Sequence, residues 1–232
     1  MDTSKRIWLL GYISFLTTFL ASLLFPGISV TAYRLSIASL ITSQCIVIYL
    51  GHLSQIRSLP ELVTKLRNEE TFYHLSMCIP LFLSANLHHF LLLPFVIFSS
   101  YHVISTLKDY LKPLPAQLDR LHTLMKREQP KMLMIATYLE IATIPYLLFK
   151  FIRKQAGLGM LFSSVQFVRH QYGINRRTQI AFHQIRLFTD GIVTNSKFTN
   201  TIPIPIKQIY LKSVKIVERL APTITCTPPK QK

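Results

Sequence analysis

Residues 7–25, IWLLGYISFLTTFLASLLF, run for 19 positions without a charged side chain. At 1.5 Å of rise per residue, a helix of that length is about 28 Å long, close to the ~30 Å thickness of the hydrocarbon layer of a bilayer. A segment in hydrocarbon must satisfy its own N–H and C=O groups, which a helix does. The run therefore reads as a membrane-spanning helix. Lys5 and Arg6 precede it, and it is too long for the apolar core of a cleavable signal, so it is expected to be a retained signal anchor that stops at Pro26-Gly27.

The rest of the chain repeats the theme with variations. Residues 35–50 are uncharged but only 16 long, at the lower limit for a span; they either cross or dip in as a hairpin arm. Residues 51–71 are polar and mixed in charge, with Pro60 opening a surface helix. Residues 72–107 stay uncharged for 36 positions but contain Pro80, Asn86, His88, His89 and Pro94, so one long kinked span and two half-length helices both fit. A linker with Pro113 and Pro115 and a mixed-charge helical stretch leads to Pro130, and an 18-residue span over 132–149 comes next, carrying Glu140 and Pro145. Residues 157–168 are too few to cross alone; they suit an interfacial helix or the return arm of a hairpin. The fold class expected is all-α: a polytopic membrane bundle of about four spans, some short or kinked, over 1–152, followed by a basic cytosolic tail with amphipathic helices over 153–232.

Composition agrees with the pattern. Half of the 232 residues are apolar and 16% are charged, against about 25% in an ordinary soluble domain. From Lys150 onward, 14 Lys and Arg face only Asp190 and Glu218, which places +12 of the formal +16 where the long apolar runs are not. Dense base suits phosphate, on a nucleic acid or on an anionic membrane. The membrane is favoured because the base comes after hydrophobic spans, so a bilayer with anionic headgroups is the expected partner and nucleic acid is not.

Within the tail, residues 206–220 are the most informative. At 100° per residue Ile206, Ile209, Tyr210, Val214, Ile216, Val217 and Leu220 share one face, and Lys207, Gln208, Lys212, Lys215, Glu218 and Arg219 take the other. Such a helix can lie in the headgroup plane with its apolar side in the acyl boundary; packing on its own protein is the plain alternative. A second amphipathic stretch over 178–193 brings Ala181, Ile185, Phe188 and Ile192 together, with Arg169, Arg176, Arg177 and Arg186 around it.

Chemistry-bearing motifs are absent. No G-x-S-x-G, P-loop, G-x-G-x-x-G or H-E-x-x-H occurs, so neither catalysis nor a cofactor is expected. Adjacent His88 and His89 point to different sides of a helix and cannot chelate one ion by helix spacing alone; no metal site is expected. Cys45, Cys78 and Cys226 form no C-x-x-C pair and read as inert thiols. Glu140 in an apolar span is costly if ionised and should face a partner or take a proton. A small transporter or channel, with Glu140, Asn86 and the histidines lining a polar path, is the rival to a membrane-organising role.

Certain residues carry a family resemblance. Glu140-Ile141 followed by Pro145 matches E-I-x-x-x-P, and Arg169, Asn175, Phe182 and Arg186 keep a family spacing. Arg219-Leu220-Ala221-Pro222-Thr223 gives R-L-A-P-T. On these the chain resembles the family of transmembrane protein 33 in animals and its fungal relatives at nuclear pores and in the endoplasmic reticulum; the pair Arg176 and Arg177 departs from the family's pair by three positions. The resemblance implies a non-catalytic, multi-pass protein of the endoplasmic reticulum membrane and nuclear envelope, working with reticulon-type membrane-shaping proteins, nucleoporins or transport factors.

Topology depends on how 72–107 is divided. Four spans with a cytosolic tail leave the basic linker 108–131 in the lumen, against the positive-inside expectation. Two helices in 72–107 make that linker cytosolic, and 132–168 must then also turn back.

Overall fold

The computed structural model describes residues 3–51, 70–110 and 116–194. The regular structure in these residues is all helix, with no strand among them. In chain order the helices are α1 (Thr3–Leu24), a 3-10 turn (Pro26–Ile28), α2 (Ser29–Gly51), α3 (Glu70–Leu83), α4 (His89–Tyr110), α5 (Ala116–Ile152), α6 (Leu158–Ile174) and α7 (Arg176–Thr194). Four segments are long and apolar enough to cross a bilayer: Lys5–Leu24, Pro26–Leu50, His89–Lys108 and Gln117–Ile152. The chain divides into two units, Met1–Ala181 and Phe182–Lys232. Helix α6, which the sequence placed with the tail, lies within the first.

In the first unit α1 packs on α2 and α4, α2 on α3, α3 on α6, α6 on α5, and α5 on α4. The six helices thus form a ring in the order 1-2-3-6-5-4, and every neighbouring pair runs antiparallel. Small residues let α1 and α2 approach most closely: a Cβ on Gly11 would collide with Ser43 Oγ. Ser14 and Ser39 hydroxyls meet at 3.0 Å across the same seam. Close backbone approach at small residues is how helices associate where no water is expelled. Phe15, Tyr33, Ile37, Leu40, Leu91, Leu92, Leu147 and Phe167 fill the interior, whereas Leu10, Leu20, Leu24, Val30, Leu35 and Leu148 face outward. An apolar exterior around an already apolar core is what a hydrocarbon solvent selects.

Residues 72–107 resolve into two helices. Pro80 withholds an N–H inside α3, and the Ser84 hydroxyl accepts the Asn86 N–H at 3.2 Å, turning the chain before α4 begins. On the other side of the ring the expected linker and span are one helix. α5 is 37 residues long, about 55 Å, and passes through Pro130, because the Lys126 carbonyl that Pro130 cannot bond lies on an exposed face of the helix. α6 is the return arm, burying Met160, Phe167 and Val168. At 14 and 17 residues, α3 and α6 are about 21 and 26 Å long, shorter than the hydrocarbon layer.

The ring has two unlike ends. At one, which we call the turn end, Phe25–Ile28, 84–88 and 153–157 connect the helices, tied together by side chains. The Tyr33 hydroxyl accepts the His88 N–H at 3.1 Å, His89 Nε2 meets Ser22 Oγ at 3.2 Å, and the Asn86 amide donates to the Gln155 carbonyl at 2.7 Å. At the other, the basic end, α2, α4 and α6 finish and α1, α3 and α5 begin. There Tyr73 of α3 stacks on His170 of α6, ring centroids 3.9 Å apart, and Trp8 of α1 meets His102 of α4 at 5.8 Å.

Candidate functional site

Charge is divided between the ends. Among the described residues of the first unit, Lys5, Arg6, Lys108, Arg120, Lys126, Arg127, Lys131, Arg169, Arg176 and Arg177 lie at the basic end, and Arg34, Lys150, Arg153 and Lys154 at the turn end. Some of this base is already paired. Lys108 contacts Asp119 at 3.4 Å, and Arg127 and Lys131 both contact Glu128 at 2.9 Å.

A cavity of about 760 Å³ opens among α1, α2, α3, α4 and α5 toward the basic end. Its walls are Trp8, Tyr12, Leu40, Phe95, Phe98 and Leu133, and its polar lining includes Gln44, Ser99, His74, His102, His122, Lys126 and Arg177. Trp8 stands edge-on to Tyr12 at 5.1 Å, and the Tyr12 ring stacks on His102 at 5.8 Å. His122 Nδ1 accepts from Lys108 Nζ at 3.2 Å. Among the described residues no carboxylate lines the cavity.

Asn175 joins the cavity to helix α7. Extended backbone at Asn175 (φ −108°, ψ 111°) ends α6, and its N–H closes on the Gln171 carbonyl at 2.8 Å. Its side-chain oxygen then accepts the Arg177 N–H at 3.0 Å, capping α7, with Arg177 Nε at 3.5 Å from the same oxygen. One asparagine thus terminates one helix, starts the next and fixes the start of the Arg177 side chain.

Helix α7 is amphipathic. Ala181, Ile185, Phe188 and Ile192 share a face, opposite Arg176, Gln179, His183, Arg186 and Asp190. Ala181 is enclosed, but Phe188 is 72% exposed and Ile185 is exposed too. Arg186 and Asp190 approach to 3.6 Å one turn apart.

The other residues singled out by sequence scatter. Glu140 is buried in α5, and its carbonyl accepts the Thr143 hydroxyl at 2.6 Å. Pro145 is exposed on the same helix, Arg169 is exposed near the end of α6, and Phe182 is half-buried in α7. Asn86, His88 and His89 sit at the turn end, and neither they nor Glu140 line the large cavity. Ile206, Lys207, Ile209, Tyr210, Lys212, Val214, Lys215, Val217, Arg219 and Leu220, with Ala221 and Pro222, lie outside the described residues, as does the stretch after Pro60. Sequence reasoning missed Trp8, His102 and Lys126 as neighbours. Their only sequence signal is polar or amphipathic side chains near the ends of separate apolar runs.

Comparison with known proteins gives one family. The model of the family Transmembrane protein 33/Nucleoporin POM33 matches residues 3–223, nearly the whole chain. No curated protein and no solved structure matches.

Proposed function

The chain belongs to the transmembrane protein 33/nucleoporin POM33 family, and from that premise we propose a non-enzymatic protein of the endoplasmic reticulum and nuclear envelope that shapes or organises membrane and supports nuclear pore complex distribution or assembly. It is a multi-pass membrane protein. The basic end faces the cytosol, because Lys and Arg accumulate on the cytosolic side of short connections. That orientation puts the starts of α1, α5 and α7 in the same compartment.

The observation that carries the mechanism is the apolar face of α7, where Phe188 and Ile185 stand exposed opposite Arg176 and Arg186. Such a face has hydrocarbon as its natural solvent and headgroup phosphate as the partner of its arginines. With the amphipathic pattern of 206–220, it adds area to the cytosolic leaflet only. The short arms α3 and α6 favour a locally thinned bilayer. Added area on one side and thinning beneath both favour curved membrane. Reticulon-type proteins, nucleoporins or transport factors are the partners such a surface would gather.

The test is the distribution of the tagged, full-length protein in cells. Phe188→Glu with Ile185→Glu, or Ile209→Glu with Val217→Glu, should disperse it from curved or pore-rich membrane while leaving it in the endoplasmic reticulum. An unchanged distribution for both pairs would remove the mechanism and leave the family assignment standing.

A further inference from the structure

We propose that the cavity at the basic end is a binding site for one anionic glycerophospholipid, its phosphate between Lys126 and Arg177 and an acyl chain on the Trp8, Leu40, Phe95 and Leu133 walls. The volume, about 760 Å³, falls within the range of about 300–1,000 Å³ typical of ligand sites.

The charge balance selects the ligand. Among the described residues, Lys126 and Arg177 line the cavity and no carboxylate does. Two acids of α5 at this end are already engaged: Asp119 with Lys108, and Glu128 with Arg127 and Lys131. Two cations facing a space with both apolar and polar walls call for an anion that brings its own apolar part, and phosphate gains most from a guanidinium and an ammonium together. The arginine is also preset, because the Asn175 cap holds its backbone and Nε.

A polar side chain deeper in the wall points the same way. Ser99, only 1% exposed, lines the cavity, and its hydroxyl has no hydrogen-bond partner among the described residues. A buried hydroxyl without a partner is uncommon. The ester carbonyl of a glycerophospholipid, lying between phosphate and acyl chain, supplies an acceptor at the right level of the molecule. Gln44 of α2 also lines the cavity and offers a second donor. Inorganic phosphate would satisfy the rim and leave the apolar walls and Ser99 unused.

The single tryptophan of the chain, Trp8, lines the cavity, so its fluorescence reports occupancy in the intact protein. Full-length protein in a mild non-ionic detergent would be titrated with dioctanoyl phosphatidic acid, dioctanoyl phosphatidylcholine and inorganic phosphate. Phosphatidic acid should give a saturable change, with phosphatidylcholine at least about tenfold weaker and inorganic phosphate without effect. Lys126→Gln with Arg177→Gln should weaken phosphatidic acid by about tenfold and leave the circular dichroism unchanged. Arg153→Gln, at the turn end, should leave the titration as it was. Ser99→Leu, which fills the wall, should weaken both lipids. Equal responses to the two lipids would overturn the proposal. So would an undiminished phosphatidic acid response in the double variant, or a full response to inorganic phosphate.

Discussion

The two ends of the ring solve different problems. At the turn end, three short connections are cross-linked by Tyr33, His88, His89, Ser22 and the Asn86–Gln155 contact, so polar groups from different connections bond one another. At the basic end the helices spread around a cavity whose cations face space, and α7 leaves with an apolar face exposed. Groups paired internally stabilise a fold, whereas groups left facing space are available to a ligand. Substitutions at the turn end should therefore cost stability, and those at the basic end should cost binding.

The largest effect is expected where both ends depend on one contact. Gly11→Val puts a branched side chain into Ser43 across the α1–α2 seam, and overpacking of this kind costs about 1–3 kcal/mol or more. Thermal unfolding in detergent should move down by several degrees, and the protein should lose its ordered cavity with it. A variant as stable as the parent would mean that the seam opens without strain.

A direct contrast between the ends ranks second. Tyr33→Phe removes the hydroxyl that accepts the buried His88 N–H, which leaves a donor without a partner at a cost of about 1–3 kcal/mol. Lys126→Gln changes an exposed side chain and should shift stability by no more than about 0.5 kcal/mol in the absence of lipid. If the lysine variant were the less stable of the two, the division between the ends would fail.

Smaller and more local is Asn175→Ala. Loss of the cap on Arg177 should cost about 1 kcal/mol, concentrated in the first turn of α7. Hydrogen exchange should show faster exchange at Arg177–Gln179 and unchanged protection in α1 and α2. Uniform destabilisation would mean that the joint holds the ring and not only α7.

The same contrasts bear on what the sequence discloses. The 7–25 run names its helix because length and absence of charge suffice in hydrocarbon, and the same reasoning finds the span within α5. The break at 84–88 is legible only as an alternative, since Pro80 and Asn86 mark weak points without saying that the chain turns there. What decides it is Tyr33, far away in sequence, holding the His88 N–H. Asn175 is visible as a spaced family position, but its double capping role depends on two helices meeting at it. The cavity is not legible at all: Trp8, Ser99, Lys126 and Arg177 belong to four helices, and nothing in their spacing says that a ring brings them together.

The smallest effect tests the turn end in the opposite direction. Lys154 closes α5 with φ 57°, its N–H donating to the Phe151 carbonyl at 2.8 Å and the Gln155 N–H reaching the Lys150 carbonyl at 2.8 Å. This is the helix-ending geometry that favours glycine, because a Cβ crowds the left-handed backbone by about 1–2 kcal/mol. Lys154→Gly should relieve that strain, offset in part by the greater freedom of glycine in the unfolded chain, for a net gain of about 0.5 kcal/mol. A small rise in the unfolding temperature with no change in lipid binding would show that this end sets stability alone. A fall would mean that the Lys154 side chain contributes more to the connection than its backbone costs.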